Sequence, residues 1–290
     1  MEKLPSYNPS ILPPGVRSRF AEVNGLRMHV LEAGYESPGR ACVLLLHGFP
    51  ELAYTWRRNM LPLAAAGFHV IAPDQRGYGR TTGWDSRYDC DLHAFGMLNL
   101  ATDAVCLVSA FGHRRVQAVV GHDFGSPVAA YAALIRPDIF RSVILMAAPF
   151  PGPPKAPFAT VDAAETSAGD HIHAELAALD RPRKHYHWYY STREANAEMQ
   201  SPPQGLHAFL RAYFHYKSAD WKPNQPFRLG AWNTTELAKM PTYYIMEKDQ
   251  GMPASVAPFM PTPEEFRANA WLPDRELEVY TSEYTRTGFQ

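Results

Sequence analysis

The stretch VVGHDFGSPVAA, from Val119 to Ala130, places a carboxylate between small residues where a strand gives way to a helix. The β-branched pair at its start is typical of a strand, and the alanine-rich run at its end is typical of a helix. Glycines at 121 and 125 permit a sharp turn that would lift Asp123 to the top of a sheet. This pattern leaves two interpretations of Asp123, either a cap of the following helix or a nucleophile.

Sequence patterns before residue 150 alternate between strand and helix. Asn24-Gly25 separates two strand-like runs, as the turn of a two-residue hairpin does. Short, almost entirely apolar runs such as ACVLLL are typical of strands buried on both faces. We therefore predict an α/β fold with a mostly parallel sheet and an N-terminal antiparallel hairpin. Its strands are expected at 19–23, 27–34, 41–46, 68–73, 116–121 and 141–149, and its helices at 54–64 (limited by Pro62), 97–112 and 126–137.

The composition changes after Pro149. Residues 149–170 are rich in proline and alanine, and helical patterns with many aromatic residues dominate the remainder. TYYIM, residues 242–246, is the one strand candidate there, and it stands in a helical context. We therefore expect two domains, an α/β core over 1–150 and a helical cap or lid over 151–290.

Composition also bears on partners and location. The 290 residues include 28 basic and 29 acidic side chains, a balance that gives no reason to expect a nucleic-acid partner. No apolar run reaches the roughly 18 residues of a membrane-spanning helix, and the first residues lack the apolar region of a signal peptide. A cytoplasmic protein without a membrane partner is expected, with its oligomeric state open. Cys42, Cys90 and Cys106 are far apart and predict buried thiols.

A second motif, LLLHGFPE at residues 44–51, continues a buried strand into a Gly-Phe-Pro loop. In sheets of this type, such a loop supplies one donor of an oxyanion hole, so the backbone N–H groups of Phe49 and Phe124 are predicted to meet on one oxygen. His47 is expected either to brace the loop or to contact substrate. The following loop, PDQRGYGRT at 73–81, lacks the lysine and spacing of a phosphate loop.

These motifs, namely HGFPE, Trp56, DxRGYG at 74–79 and GHDxG at 121–125, together resemble the α/β-hydrolase family. With Asp in place of Ser at the turn, the chain is similar to epoxide hydrolases and haloalkane dehalogenases, over roughly residues 15 to 290. Dehalogenases hold the halide with an indole N–H directly after the nucleophile, where this chain has Phe124. Position 49 is likewise Phe rather than Asn. The resemblance implies an epoxide hydrolase, with a dehalogenase or a non-catalytic ligand-binding homologue as alternatives.

The resemblance also implies a mechanism. Asp123 would attack an epoxide carbon to form an alkyl-enzyme ester, which water then hydrolyses to a vicinal diol. A carboxylate suits a strained sp³ carbon, whereas its product with an ester or amide would be an anhydride. Tyr186 and Tyr280 match the two cap tyrosines that donate hydrogen bonds to the epoxide oxygen in this family. Tyr189 and Tyr190 are the alternatives to Tyr186.

A small, apolar epoxide is the expected substrate, because the cap segments are rich in aromatic residues. No cofactor is expected. Histidine pairs at 171 and 173 and at 185 and 187 have no carboxylate at a matching spacing, so no metal site is predicted. The residues expected to contact substrate are His47, Trp56, Trp188 and Tyr189.

Two catalytic residues of the family have no match in the sequence. The family's base is a histidine after the last strand of the sheet, and its acid partner follows an earlier strand. No such motif occurs between the cap patterns and Gln290, and PFPGPPKAP, after the strand at 141–149, contains no carboxylate. We therefore expect a sheet without its last two strands, and full turnover only with that part present.

Overall fold

The computed structural model of the protein describes residues 4–152 and 168–290. The chain divides into two compact units, Met1–Lys155 and Ala156–Gln290, named the first and the second unit below. Most of the proline-rich stretch expected to link two domains lies outside the described residues.

A mixed sheet forms the centre of the first unit. Its strands are β1 (Val16–Val23), β2 (Leu26–Ala33), β3 (Cys42–Leu46), β4 (His69–Pro73), β5 (Val116–His122) and β6 (Val143–Met146). They lie in the order β1-β2-β4-β3-β5-β6. β1 and β2 form the predicted hairpin, and β2 is antiparallel to β4, while the other neighbours are parallel. This arrangement confirms the α/β fold with its antiparallel N-terminal hairpin.

Three α-helices of the first unit pack on this sheet: α1 (Arg57–Ala65), α2 (Met97–Ala110) and α3 (Gly125–Ile135). α2 and α3 pack against each other, α2 also against β1, and α3 against β5 and β6. Their apolar side chains share one core cluster with the strands, which includes Leu44, Leu46, Leu107 and Val128. The core therefore holds the carboxyl ends of β3 and β5 side by side.

Pro62 does not limit the first helix as predicted, because α1 continues to Ala65. A proline inside a helix removes the hydrogen bond to the carbonyl group four residues earlier, here that of Arg58. Arg58 is exposed, so water can satisfy that carbonyl group.

β6 lies at the open edge of the sheet. Its residues are 36–50% exposed, whereas no residue of β3 is more than 3% exposed. Both strands are apolar, and both are parallel neighbours of β5. The burial of these two strands therefore depends on their neighbours and not on their own sequence.

The second unit combines helices with a small sheet. Its described helices are α4 (Ala168–Ala177), α5 (Tyr186–Tyr190), α6 (Arg193–Gln200), α7 (Leu206–Lys217), α8 (Thr234–Leu237), α9 (Met252–Val256), α10 (Pro263–Ala268) and α11 (Asp274–Thr287). An antiparallel ribbon of β7 (Arg183–His185) and β8 (Ile245–Glu247) accompanies them. The second unit is therefore mainly helical, with one short two-stranded ribbon. TYYIM runs into β8, because Ile245 pairs with His185 and packs beside Leu176 and Leu237.

The three cysteines are free thiols, but only Cys42 is buried. Cys90 and Cys106 are partly exposed, contrary to prediction. Cys42 lies in β3, at the centre of the sheet, whereas the other two lie in a loop and in α2.

Candidate active site

The strand-to-helix turn at Asp123 is tightly constrained. Asp123 directly follows β5 and has a φ of +51°, in the left-handed region that few non-glycine residues adopt. A Cβ atom at Gly125 would lie 2.3 Å from the Leu46 carbonyl oxygen. One at Gly121 would lie 2.1 Å from the Gly125 carbonyl oxygen. The turn therefore requires glycine on both sides of Asp123.

The Asp123 side chain does not cap α3. The N-cap residue is Phe124, and no side chain accepts a hydrogen bond there. Oδ1 of Asp123 instead accepts a hydrogen bond from the Phe49 backbone N–H, at 3.0 Å. Among the residues that the structure describes, Oδ2 has no donor and the Phe124 N–H has no acceptor. One carboxylate oxygen is thus held by the loop after β3, and the other remains available.

Further backbone contacts fix this geometry. The Asp123 N–H donates to the Met146 carbonyl oxygen at 3.0 Å. The Ser126 hydroxyl lies 2.7 Å from the Gly121 carbonyl oxygen and accepts a hydrogen bond from the Met146 N–H at 3.1 Å. A Cβ atom at Gly48 would lie only 2.4 Å from the Cβ of Asp123. Glycine at 48 therefore allows the loop of Phe49 to approach the carboxylate.

Asp74 joins the surrounding loops, a role that no sequence pattern indicated. It directly follows β4 and is fully buried. Its carboxylate accepts hydrogen bonds from the backbone N–H groups of Ala53 and Arg80, at 2.8 and 2.9 Å, and lies 2.7 Å from His29 Nδ1. Burial alone would raise the pKa of Asp74, but the charge and hydrogen bond of His29 hold it below its usual value.

His47 braces the same loops. Its side chain is fully buried. Nδ1 donates to the Gly48 carbonyl oxygen at 2.9 Å, and Nε2 accepts from the Gln75 N–H at 3.1 Å. Burial lowers the pKa of His47, which keeps the ring neutral in this role. Both ring nitrogens are therefore used within the protein, which supports the bracing interpretation.

A second histidine, directly before Asp123, pairs with a carboxylate. His122 Nδ1 lies 2.6 Å from Glu51 Oε2, which is also 3.4 Å from the Gly48 N–H. The His122 side chain is 31% exposed. This pair links the residue before Asp123 to the loop that carries Phe49.

Two aromatic residues of the first unit complete the surroundings. Trp56, predicted to contact substrate, is almost fully buried, and its indole N–H has no acceptor among the described residues. Tyr78, missed by the sequence reasoning, packs edge-on against His47 with ring centroids 4.8 Å apart. Burial raises the pKa of Tyr78, and the charges of Asp123 and Glu51 raise it further, so its hydroxyl stays protonated.

The predicted tyrosines lie in the second unit. Tyr186 is the first residue of α5, and its ring contacts those of Tyr190 and Tyr244. Tyr280 lies in α11 and is 4% exposed. The hydroxyl of Tyr189 donates to Glu198 at 2.8 Å, and that of Tyr190 lies 3.2 Å from the Tyr213 hydroxyl. Both alternatives to Tyr186 therefore have a hydrogen-bond partner within the second unit.

Trp188 and Tyr189 line an open cavity of about 360 Å³ within the second unit. The cavity contains several charged side chains, and its lining is His173, Ala177, Arg183, Lys184, Trp188, Tyr189, Thr192, Glu194, Glu198 and Lys248.

Within the described ranges, 4–152 and 168–290, no cluster of three or more His, Cys, Asp or Glu side chains could hold a metal ion. No helix within them is both long and apolar enough to cross a bilayer.

Comparison with known proteins identifies the family of this chain. The alpha/beta hydrolase fold family model matches residues 42–171. Epoxide hydrolase A of Mycobacterium tuberculosis is 31% identical over 273 residues, which cover 93% of this chain and 70% of that protein. The chain belongs to the epoxide hydrolases of the α/β-hydrolase family. An epoxide hydrolase of Caballeronia sordidicola is 42% identical over a shorter stretch of 137 residues, 47% of this chain and 38% of that protein.

Solved structures of epoxide hydrolases share the fold. An epoxide hydrolase from an endophytic Streptomyces aligns with a TM-score of 0.68 at 29% identity, covering 95% of this chain and 70% of that one. Potato epoxide hydrolase I aligns with a TM-score of 0.65 at 27% identity, covering 94% and 70%. The chain therefore belongs to a hydrolase family. It spans about 70% of the length of the Mycobacterium tuberculosis, Streptomyces and potato proteins.

Proposed function

We propose that the protein opens a small epoxide to a vicinal diol through an ester at Asp123. The observation that carries this proposal is the carboxylate at the turn after β5, with Oδ1 held by the Phe49 N–H and Oδ2 without a donor among the described residues. A carboxylate with one fixed and one available oxygen is oriented for attack on carbon.

In the first step, Asp123 Oδ2 attacks an epoxide carbon, and the bond from that carbon to the ring oxygen breaks. The oxygen leaves as an alkoxide and takes a proton from one of two tyrosine hydroxyls that donate hydrogen bonds to it, because an unprotonated alkoxide is a poor leaving group. We assign these hydroxyls to Tyr186 and Tyr280. The tyrosinate recovers its proton from the attacking water of the second step. Trp56 is proposed as a substrate contact through its buried indole.

In the second step, water attacks the ester carbon of Asp123. The oxygen that becomes negatively charged is Oδ1, which already accepts the Phe49 N–H at 3.0 Å. The Phe124 N–H, at the start of α3, is proposed as the second donor. Collapse of this intermediate restores the carboxylate and releases the diol.

Hydrolysis needs a base to activate the water, and the histidine that the family uses has no match in the 290 residues. Both ring nitrogens of His47 are hydrogen-bonded within the protein, so that histidine does not fill the role. We therefore propose that the 290-residue chain forms the ester faster than it hydrolyses it.

The test is the intact mass of the protein after incubation with styrene oxide, with Asp123→Asn as the control. We expect a lasting adduct of one epoxide on the wild-type chain and none on the variant. Equal labelling of both chains would contradict the proposal. Halide release from a haloalkane would favour a dehalogenase, and reversible binding without an adduct or diol would favour a ligand-binding homologue.

A further inference from the structure

The open cavity of the second unit is lined by the consecutive elements β7, α5 and α6, by α4, and by Lys248 after β8. β7 contributes Arg183 and Lys184, α5 contributes Trp188, and α6 contributes Glu194 and Glu198. At about 360 Å³, the space matches a ligand of one or two rings. All of its lining residues belong to one unit, so the cavity can be considered without the catalytic turn.

The two basic residues of β7 differ in how their charges are satisfied. Arg183 donates to the Ile245 carbonyl oxygen at 2.7 Å and lies 3.3 Å from Glu247. Lys184 is partly buried, and burial lowers its pKa. Its ammonium lies 5.1 Å from the centre of the Tyr189 ring but has no hydrogen-bond acceptor within the described part of the chain. A partly desolvated ammonium gains most from an added anion.

The cavity also has an aromatic wall. The Trp188 side chain is 55% exposed, although its ring packs against His173 with centroids 4.7 Å apart. An exposed indole next to an ammonium offers a flat apolar surface beside a positive charge. This combination suits a planar ring that carries an anionic group.

The acidic residues restrict the charge of the ligand. Glu194 and Glu198 line the same cavity, and Glu198 accepts the hydroxyl hydrogen of Tyr189. Their negative charges oppose a ligand with two or three charges, such as a phosphate ester. A ligand with a single carboxylate can pair with Lys184 and brings only one negative charge into the cavity.

We propose that this cavity binds an aromatic monocarboxylate, with the carboxylate on Lys184 and the ring on Trp188. The site is assigned independently of the epoxide chemistry, and nothing in the proposed reaction requires it.

The test uses 2-naphthoate as the probe and the full 290-residue chain, with affinity measured by isothermal titration calorimetry. Lys184→Met removes the charge but keeps the length of the side chain, and we expect it to weaken binding about tenfold. Lys222→Met is the matched control, because Lys222 is an exposed lysine of the same unit outside the cavity lining. It is expected to leave the affinity unchanged, and Lys184→Arg to retain most of it. Equal affinity for wild type and Lys184→Met would overturn the proposal.

Two further measurements separate this site from the catalytic one. The neutral amide, 2-naphthamide, is expected to bind about tenfold more weakly than the acid, and equal binding would overturn the role of the charge. Asp123→Asn is expected to keep full affinity for 2-naphthoate. Loss of binding in that variant would place the probe at the turn after β5 and refute the cavity site. A failure of the epoxide assay would leave all these results unaffected.

Discussion

Asp74 and Asp123 occupy equivalent places in the sheet but differ in what surrounds them. Each is the first residue after a parallel strand, β4 for Asp74 and β5 for Asp123. Asp74 is fully buried and contacts three donors. Asp123 has a strained backbone, and within the described residues its carboxylate accepts one hydrogen bond, from the Phe49 N–H. A carboxylate with both oxygens hydrogen-bonded holds loops together, whereas one with an unoccupied oxygen can react.

The surroundings of Asp74 show that hydrogen-bonded order alone does not make a catalytic site. Ser18 Oγ lies 2.7 Å from His29 Nε2, and His29 Nδ1 lies 2.7 Å from Asp74 Oδ2. This is the order of a Ser-His-Asp triad. However, His29 is fully buried, and Ser18 Oγ already accepts the Tyr7 N–H at 2.9 Å. We therefore interpret the array as structural.

The largest expected effect separates the two aspartates by activity. Asp123→Asn is expected to lower ester formation by more than about 1,000-fold, because an amide oxygen is a poor nucleophile. Asn also tolerates a positive φ, so the melting temperature is expected to stay close to that of the wild type. Adduct formation is measured by intact mass and folding by circular dichroism. Retained labelling in a folded variant would contradict the assignment.

The same substitution at Asp74 tests the contribution of that carboxylate to stability. Asp74→Asn places an amide N–H₂ against buried donors and is expected to cost about 3 kcal/mol, a fall of about 10 °C in melting temperature. Thermal unfolding followed by circular dichroism measures it. A melting temperature equal to that of Asp123→Asn would contradict the proposal that Asp74 contributes more to stability than Asp123.

The contribution of Asp74 to stability is expected to depend on pH. The pKa of Asp74 is lowered in the folded protein, so its stabilising contribution is present above the unfolded pKa of about 3.9 and is lost as the pH falls through the lower folded value. The gap in melting temperature between wild type and Asp74→Asn is therefore expected to narrow below about pH 4. A gap that widens with acid would show that His29 does not stabilise the charged form.

A smaller effect is expected from the pair behind the Phe49 loop. Glu51→Gln weakens the contact with His122 without touching the reacting atoms. The pair is partly exposed, and its loss is expected to slow ester formation about tenfold or less. The rate of adduct formation at fixed styrene oxide measures this. A loss as large as that of Asp123→Asn would give Glu51 a direct part in the chemistry.

The smallest effect is expected from the triad-like array. Ser18→Ala removes one hydrogen bond and is expected to cost about 1 kcal/mol of stability, with no change in the rate of ester formation. Labelling by a fluorophosphonate provides an independent check, and no modification of Ser18 is expected. Modification of that serine would make the array reactive after all.

The secondary structure of the first unit could be predicted from the sequence. Each predicted strand and helix of the first unit is present, because apolar runs and Asn24-Gly25 determine their own local conformation. The turn at Asp123 was likewise visible, since glycines 121 and 125 are required there by close backbone contacts. Pro62 was misread because its effect depends on the exposure of Arg58.

Contacts between residues far apart in sequence, and the burial that depends on them, could not be predicted. Asp74 contacts residues 21 and 45 positions away in sequence, and the pair of Glu51 and His122 spans 71 positions. An aspartate after a buried strand was the available signal for the first of these. β3 and β6 have equally apolar sequences, so only the sheet order explains why one is buried and the other exposed.

The most direct test of the account identifies which carboxylate carries the ester. After incubation with styrene oxide, the protein is digested with trypsin and its peptides are fragmented in a mass spectrometer. Asn59–Arg76 contains Asp74 as its only carboxylate side chain, and the peptide that starts at Val116 contains Asp123. We predict that the added mass lies on Asp123 and that Asn59–Arg76 is unmodified. Modification confined to any other residue would contradict the central claim that Asp123 is the nucleophile.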